Sequence, residues 1–212
     1  MLIGCSEPSS EYFPLGEKIK WEYRIQKQLS NDQSVGKSIV AQLTSIQADG
    51  INYFPYRYAN GETLYYSKNK TGILFSSKPD QNGQLLLKYP LELNVNWKSD
   101  TRIGLLNSRH ESFSGGESFI SQEEEIVLEN QIVSFDETIT VPAGLFSNSM
   151  RIESTASVTV KERTRGIERV LIEQTQWYAR GVGLVKRIRK ESSVPDKYKA
   201  EQVTELIRFA RY

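Results

Sequence analysis

The chain has 212 residues, 38% hydrophobic and 25% charged, with a formal net charge of +1. That length can bury a sizeable core as one domain or two small ones, near-neutrality argues against bulk nucleic-acid binding, and no apolar run reaches the about 18 residues of a membrane-spanning helix. One cysteine and one histidine leave no internal disulfide and no multi-histidine metal site, so no metal or cofactor is expected.

The first element is not structural. Leu2-Ile3-Gly4-Cys5 places a small residue before a cysteine and a leucine three before it. This resembles the lipobox of bacterial lipoproteins, in which the cysteine is diacylated and becomes the new N-terminus. Ser6-Glu7-Pro8-Ser9-Ser10-Glu11 is polar and suits a flexible stalk. The resemblance implies a lipid on Cys5 and a membrane partner, given a signal peptide upstream. The family's sorting rule, with Ser6 after the cysteine, implies the outer membrane, facing the periplasm. Residues 1–11 are read as anchor and tether, and 12–212 as one β-rich domain.

Period-two alternation then dominates. Ile19, Trp21, Tyr23 and Ile25 alternate with Lys18, Lys20, Glu22 and Arg24, the pattern of a half-buried strand. Ser38–Gln47 offers a second strand carrying Ile39, Ala41 and Leu43, with Ala48-Asp49-Gly50 as the following turn. Ile51–Tyr58 comes next, with Asn60-Gly61 as a second hairpin turn, then short strands at Thr63–Ser67 and Gly72–Ser77 and a loop at Pro79–Gly83. Glu125–Phe135, Glu137–Val141, Phe146–Lys161, Glu168–Tyr178, Gly183–Arg189 and Thr204–Phe209 read as strands, and Pro195–Gln202 as one or two helical turns. Many short strands with Gly, Asn and Pro turns predict an all-β, mainly antiparallel fold: a curved sheet, open barrel or sandwich with little helix.

Pro14-Leu15 and Pro90-Leu91 each precede a tryptophan, Trp21 and Trp97, at the same spacing. Proline suits the start of a strand, since it donates nothing to the ladder. Two such starts divide the domain into sheet halves, 12–88 and 89–212; duplication and chance both remain open. Charge is also uneven. Residues 101–160 hold 3 Lys+Arg against 9 Asp+Glu, and 161–212 hold 13 against 7. The two segments are expected either to attract as neighbouring strands or to form separate solvated faces.

Val141-Pro142-Ala143-Gly144-Leu145-Phe146 and Trp177-Tyr178-Ala179-Arg180-Gly181-Val182-Gly183, with Tyr12-Phe13-Pro14-Leu15-Gly16 and Trp21, resemble a group of uncharacterised bacterial lipoproteins. Many members carry a cysteine where Ser149 stands here. The resemblance implies a secreted β-rich domain with no established activity. Both motifs also read as turns: Pro142-Ala143-Gly144 with a positive-φ glycine, and Gly181 with Gly183 as a hairpin or bulge.

Chemistry is sparse. Val35-Gly36-Lys37-Ser38 lacks the first glycine of a phosphate loop, since Asn31 stands there, and reads as a loop between strands. His110 sits in the polar stretch Asn107–Ser112 with no Gly-x-Ser-x-Gly nucleophile, and reads as a loop histidine. Glu123-Glu124-Glu125 reads as a solvated face. No carboxylate pair is singled out for glycoside hydrolysis. Lys186, Arg187, Arg189 and Lys190 form the densest basic cluster, either meeting an anionic headgroup or keeping an exposed edge soluble. Phe54, Tyr56, Tyr58, Tyr65 and Tyr66 are candidates for an apolar groove, with Phe54, Tyr56 and Tyr58 on one strand face. The sequence therefore points to a lipid-anchored, non-catalytic envelope module. Its partner is an apolar ligand such as a lipid, by fold-level analogy with open-barrel lipoprotein carriers. The alternatives are an assembly protein binding an envelope partner and, last, a carboxylate-dependent hydrolase.

Overall fold

A computed structural model describes residues 11–16, 18–29, 32–79, 83–106, 126–162, 166–194 and 198–212. Cys5 with Ser6–Ser10, His110 with the rest of Asn107–Ser112, and Glu123–Glu125 lie outside the described residues, so the readings placed on them stay expectations.

The protein is all-β and antiparallel, as its alternation predicts. Among the described residues thirteen strands are formed: β1 Ile19–Leu29, β2 Asp32–Gln42, β3 Ile46–Ala48, β4 Ile51–Tyr58, β5 Thr63–Asn69, β6 Gly72–Ser76, β7 Gln84–Lys88, β8 Asn96–Thr101, β9 Ile126–Val141, β10 Gly144–Glu162, β11 Gly166–Ala179, β12 Gly183–Val194 and β13 Lys199–Arg211. The pairing order is β7-β6-β5-β4-β2-β1-β13-β12-β11-β10-β9-β8, with β3 beside β4. The two end strands, β7 and β8, are consecutive in sequence, and Lys88 Nζ donates to Asn96 O at 2.9 Å between them. The sheet is thus a nearly closed barrel. Strands β1–β7 and β8–β13 are contiguous stretches of this one sheet, meeting where β1 pairs with β13.

Local chemistry explains the corners. Asp49 and Gly50 have φ of 49° and 75°, giving the tight β3–β4 hairpin its left-handed pair. Pro142 and Ala143 form a two-residue turn between the paired Val141 and Gly144, and Ala143 N–H donates across to Leu206 O at 3.0 Å. At Gly72, φ is +149° and an added Cβ would fall 1.8 Å from Leu87 O, so only glycine lets β6 and β7 come this close. Register shifts at Phe146/Ser149, Ser149/Arg151 and Arg151/Ile152 bend the long β9–β10 pair.

Several expectations are corrected. The second strand starts at Asp32 and breaks before Ile46. Its buried residues are Val40 and Gln42, while Ile39 is exposed. Val35-Gly36-Lys37-Ser38 is extended strand inside β2, not a loop, and Gly36 pairs with Ile25. Residues 199–202 are strand, not helix. Among the described residues, helical backbone occurs only at Leu105–Leu106, and no helix is long and apolar enough to cross a membrane. The acidic and basic segments do not neutralise each other through the described ion pairs. Arg151 meets Glu137 and Glu153 within one, while Lys186–Glu205, Arg189–Glu191 and Lys190–Glu201 lie within the other.

Among the described residues the interior holds two apolar clusters. The larger gathers Ile19, Trp21, Tyr56, Tyr66, Ile73, Leu87, Trp97, Ile132, Met150, Tyr178 and Leu206. The smaller lies under the far ends of β9–β13 and is covered by Ile103, Leu105 and Leu106. Outside, a row of charges crosses β1, β13 and β12. Arg24 and Lys186 bond Glu205 at 2.7 and 3.0 Å, and Arg208 bonds Glu22 at 2.9 Å. Burial alone would raise the Glu205 carboxyl, but hydrogen bonds and charge from Arg24 and Lys186 hold it below its ordinary value of 4.5. A carboxyl lowered in the folded state stabilises above its unfolded value, and that contribution fades as pH falls through the native one. Melting temperature should therefore drop as pH falls below about 4.5. In a thermal-unfolding series Glu205→Gln should show a shallower drop. An unchanged slope would remove Glu205 from the cause.

Candidate functional site: an aromatic cavity inside the barrel

Alternation on β1, β2, β4, β5, β11 and β12 sends one face of each strand inward, and closure of the sheet brings those faces together. They line a cavity of about 310 Å³. Its aromatic wall is Phe13, Trp21, Tyr23, Tyr56, Tyr58, Tyr66 and Tyr178, and its polar groups are Ser38, Gln176, Arg187 and Thr204. Four of these rings form one packed group: Trp21 stacks on Tyr56 at 5.2 Å, Tyr56 lies 4.5 Å from Tyr66, and Phe13 lies 4.9 Å from Tyr66. Offset and tilted pairs at these separations each add stabilisation beyond the area they bury.

One end of the cavity is closed by residues 11–16, which cross the barrel as a strap. Gly181 N–H donates to Glu11 O at 2.8 Å, Tyr56 Oη to Pro14 O at 2.6 Å and Tyr12 Oη to Asn148 O at 3.1 Å. Trp21 Nε1 fastens the neighbouring turn by donating to Val182 O at 2.7 Å. Phe13 thus separates the cavity from a larger open hollow of about 620 Å³ on the strap's outer side. In that outer hollow Lys68 pairs with Glu11, and Arg180 stacks on Tyr12 at 4.4 Å.

The inner cavity is different in character. Among the described residues, no aspartate or glutamate lines it. Arg187 Nε is buried without a hydrogen-bond partner. Burial lowers the affinity of that guanidinium for its proton, and nearby Arg189 adds to the effect, yet an arginine stays charged at any physiological pH. Burial also raises the phenols of Tyr23, Tyr58, Tyr66 and Tyr178, so all four stay neutral and keep a proton to donate.

Of the aromatic groove residues read from sequence, Tyr56, Tyr58 and Tyr66 line the cavity. Phe54 packs on the larger cluster near Gly16, and Tyr65 faces a separate outer hollow with Gln42, Pro55 and Tyr212. The basic cluster is also divided. It is no exposed edge, because β12 lies between β11 and β13. Lys186 and Lys190 pair with Glu205 and Glu201, Arg189 is held by Glu191, Thr101 Oγ1 and Arg102 O, and Arg187 faces the cavity. The sequence reading missed Tyr23, Tyr178, Gln176 and Thr204 as site residues. Alternation placed Tyr23 on an inner face, but nothing local showed which strands would face it. Among the described residues, no group of three or more His, Cys, Asp or Glu is placed to hold a metal ion.

No protein-family model matches the chain, and no curated protein matches it. Two crystal structures are similar to it. One is described as a "putative exported protein with YmcC-like fold" from Bacteroides fragilis, 11% identical, covering 95% of this chain and 100% of that one, with a TM-score of 0.48. The other is a "putative lipoprotein" from Parabacteroides distasonis, 10% identical, covering 95% of this chain and 99% of that one, with a TM-score of 0.44.

Proposed function

We propose that this protein is a non-catalytic binding module that holds an apolar ligand, of the lipid class, in its barrel cavity. We propose further that a lipid on Cys5 tethers it to the cell envelope, at the outer membrane facing the periplasm. The observation that carries the first part is the 310 Å³ aromatic cavity. Its volume is at the low end of the roughly 300–1,000 Å³ typical of ligand pockets, which suits one chain or a compact ring system better than a two-chain lipid. The tether reading rests on Gly4-Cys5 and the polar stalk after them. The strap at residues 11–16 directly follows that stalk, so the tether would reach the barrel at the strap-closed end of the cavity.

Native mass spectrometry of the chain purified from cells, before and after mild organic extraction, tests the binding reading. A removable mass identified as a lipid is expected. A bare mass that added lipids leave unchanged would count against it. Palmitate labelling of the product of the native gene, with Cys5→Ala as control, tests the anchor; equal labelling of both would refute it.

A second reading, an assembly module for an envelope protein, is favoured by one observation. Among the described residues, 32–39 of β2 pair with β1 only, and β4 joins β2 only at Val40–Gln42. That leaves a strand edge bearing the exposed Val35 open to another chain. Crosslinking in intact cells should then give a discrete partner; none above background would count against it.

A further inference from the structure

Donors and acceptors inside the cavity do not balance. Arg187 brings a permanent positive charge and an unpartnered Nε–H. The Tyr178 hydroxyl accepts from Gln176 Nε2 at 3.1 Å, which leaves its own proton available. Tyr58 and Tyr66 share one hydrogen bond of 2.9 Å between two hydroxyls, so one proton of that pair is also spare. Tyr23 spends its proton on Leu184 O at 2.9 Å. Against these donors the lining offers no carboxylate among the described residues. The neighbouring cations on β12 are matched: Lys186 with Glu205 at 3.0 Å, Arg189 with Glu191 at 2.8 Å and Lys190 with Glu201 at 3.6 Å. Arg187 is the member of this cluster left without a carboxylate among the described residues.

An arginine turned into an aromatic cavity, with no carboxylate beside it among the described residues, is poorly solvated unless something pairs with it. Its planar fork matches a carboxylate or phosphate in two-pronged geometry. The stretch of wall from Tyr23 and Val40 to Trp21 and Phe13 is apolar or aromatic and reaches to the strap. We infer that the ligand is an acidic amphiphile: one apolar chain or ring system that lies along the aromatic wall and ends in a carboxylate or phosphate bound by Arg187, with Tyr178 and the Tyr58–Tyr66 pair as further donors. This rests on the binding reading above and specifies its ligand class. Lys186, Arg189 and Lys190 then take no part in headgroup binding.

Displacement of a neutral fluorescent probe, N-phenyl-1-naphthylamine, tests the inference on the full 212-residue chain carrying Cys5→Ser. Dodecanoate, dodecyl phosphate and dodecanol share one chain and differ in the head. In the parent chain at least one acid should displace the probe at about tenfold lower concentration than the alcohol, as a charge-assisted hydrogen bond implies. Whichever acid is stronger identifies the head as carboxylate or phosphate. Arg187→Met should remove the difference between acid and alcohol. If the three compounds displace equally from the parent chain, or if Arg187→Met keeps the preference for acid, the inference falls and the binding reading stands. If the probe never binds, the binding reading falls first. The head-group comparison in the parent chain does not depend on how the variant folds.

Discussion

Replacing Glu191 by alanine should lower stability by about 3–5 kcal/mol, the range for removing one partner from a buried ionic network. The side chain is fully buried, with 0% exposure. Its two oxygens accept the backbone N–H groups of Gly104, Leu105 and Leu106 at 3.0, 2.9 and 3.0 Å, and the Arg189 guanidinium at 2.8–2.9 Å. Removing it strands three backbone donors and one cation together. The same residues carry Ile103, Leu105 and Leu106 onto the smaller apolar cluster, so the cover of that cluster depends on one carboxylate from β12. Chemical denaturation should show the loss, and hydrogen exchange should show faster exchange at the 104–106 amides. The control is Glu129→Ala. Glu129 and its partner Lys98 are 69% and 72% exposed, and exposed pairs contribute only about 0–1 kcal/mol. Equal effects from the two variants would refute the role given to Glu191.

Trp21→Ala should cost a further large amount, about 3–5 kcal/mol, as buried Trp truncations do. Trp21 is 3% exposed, stacks on Tyr56 and donates to Val182 O. Its loss removes apolar burial, opens a void beside the cavity and leaves a buried carbonyl without its donor. Against a typical total of about 5–15 kcal/mol, either variant consumes a large share of the fold's stability. Trp21→Phe keeps a ring against Tyr56 and should lose markedly less. A Trp21→Ala chain as stable as the parent would mean that the strap and the Val182 turn hold without this side chain.

What was legible in the sequence follows from local physics. The β1 alternation of Ile19, Trp21 and Tyr23, the Asp49-Gly50 turn and the Gly181–Gly183 turn all depend on side-chain period and on φ, which neighbouring residues fix. The phase of β2 was not legible. Ser38-Ile39-Val40-Ala41-Gln42-Leu43 carries apolar residues at both parities, so period two cannot choose a face. Pairing of Trp21 with Val40 chooses it, and that pairing is tertiary. Residues 199–202, Lys-Ala-Glu-Gln, favour helix locally but become strand because β1 and β12 flank them on both sides. The candidate site divides the same way. Alternation put Arg187 and Arg189 on one face of a strand, and both do turn inward. Only the long-range position of Glu191 against residues 102–106 ties Arg189 down and leaves Arg187 with the cavity. Tyr178 became part of the site by closure of the sheet, which no stretch of sequence announces.

The central claim, that an apolar chain lies inside this barrel, is tested most directly by quenching of tryptophan fluorescence with a brominated acyl chain. Bromine quenches at contact, and of Trp21, Trp97 and Trp177 only Trp21 lines the cavity. Quenching in the parent chain and its loss in Trp21→Phe, with Trp97 and Trp177 still emitting, is the predicted result. No quenching, or quenching that survives Trp21→Phe unchanged, would contradict the claim.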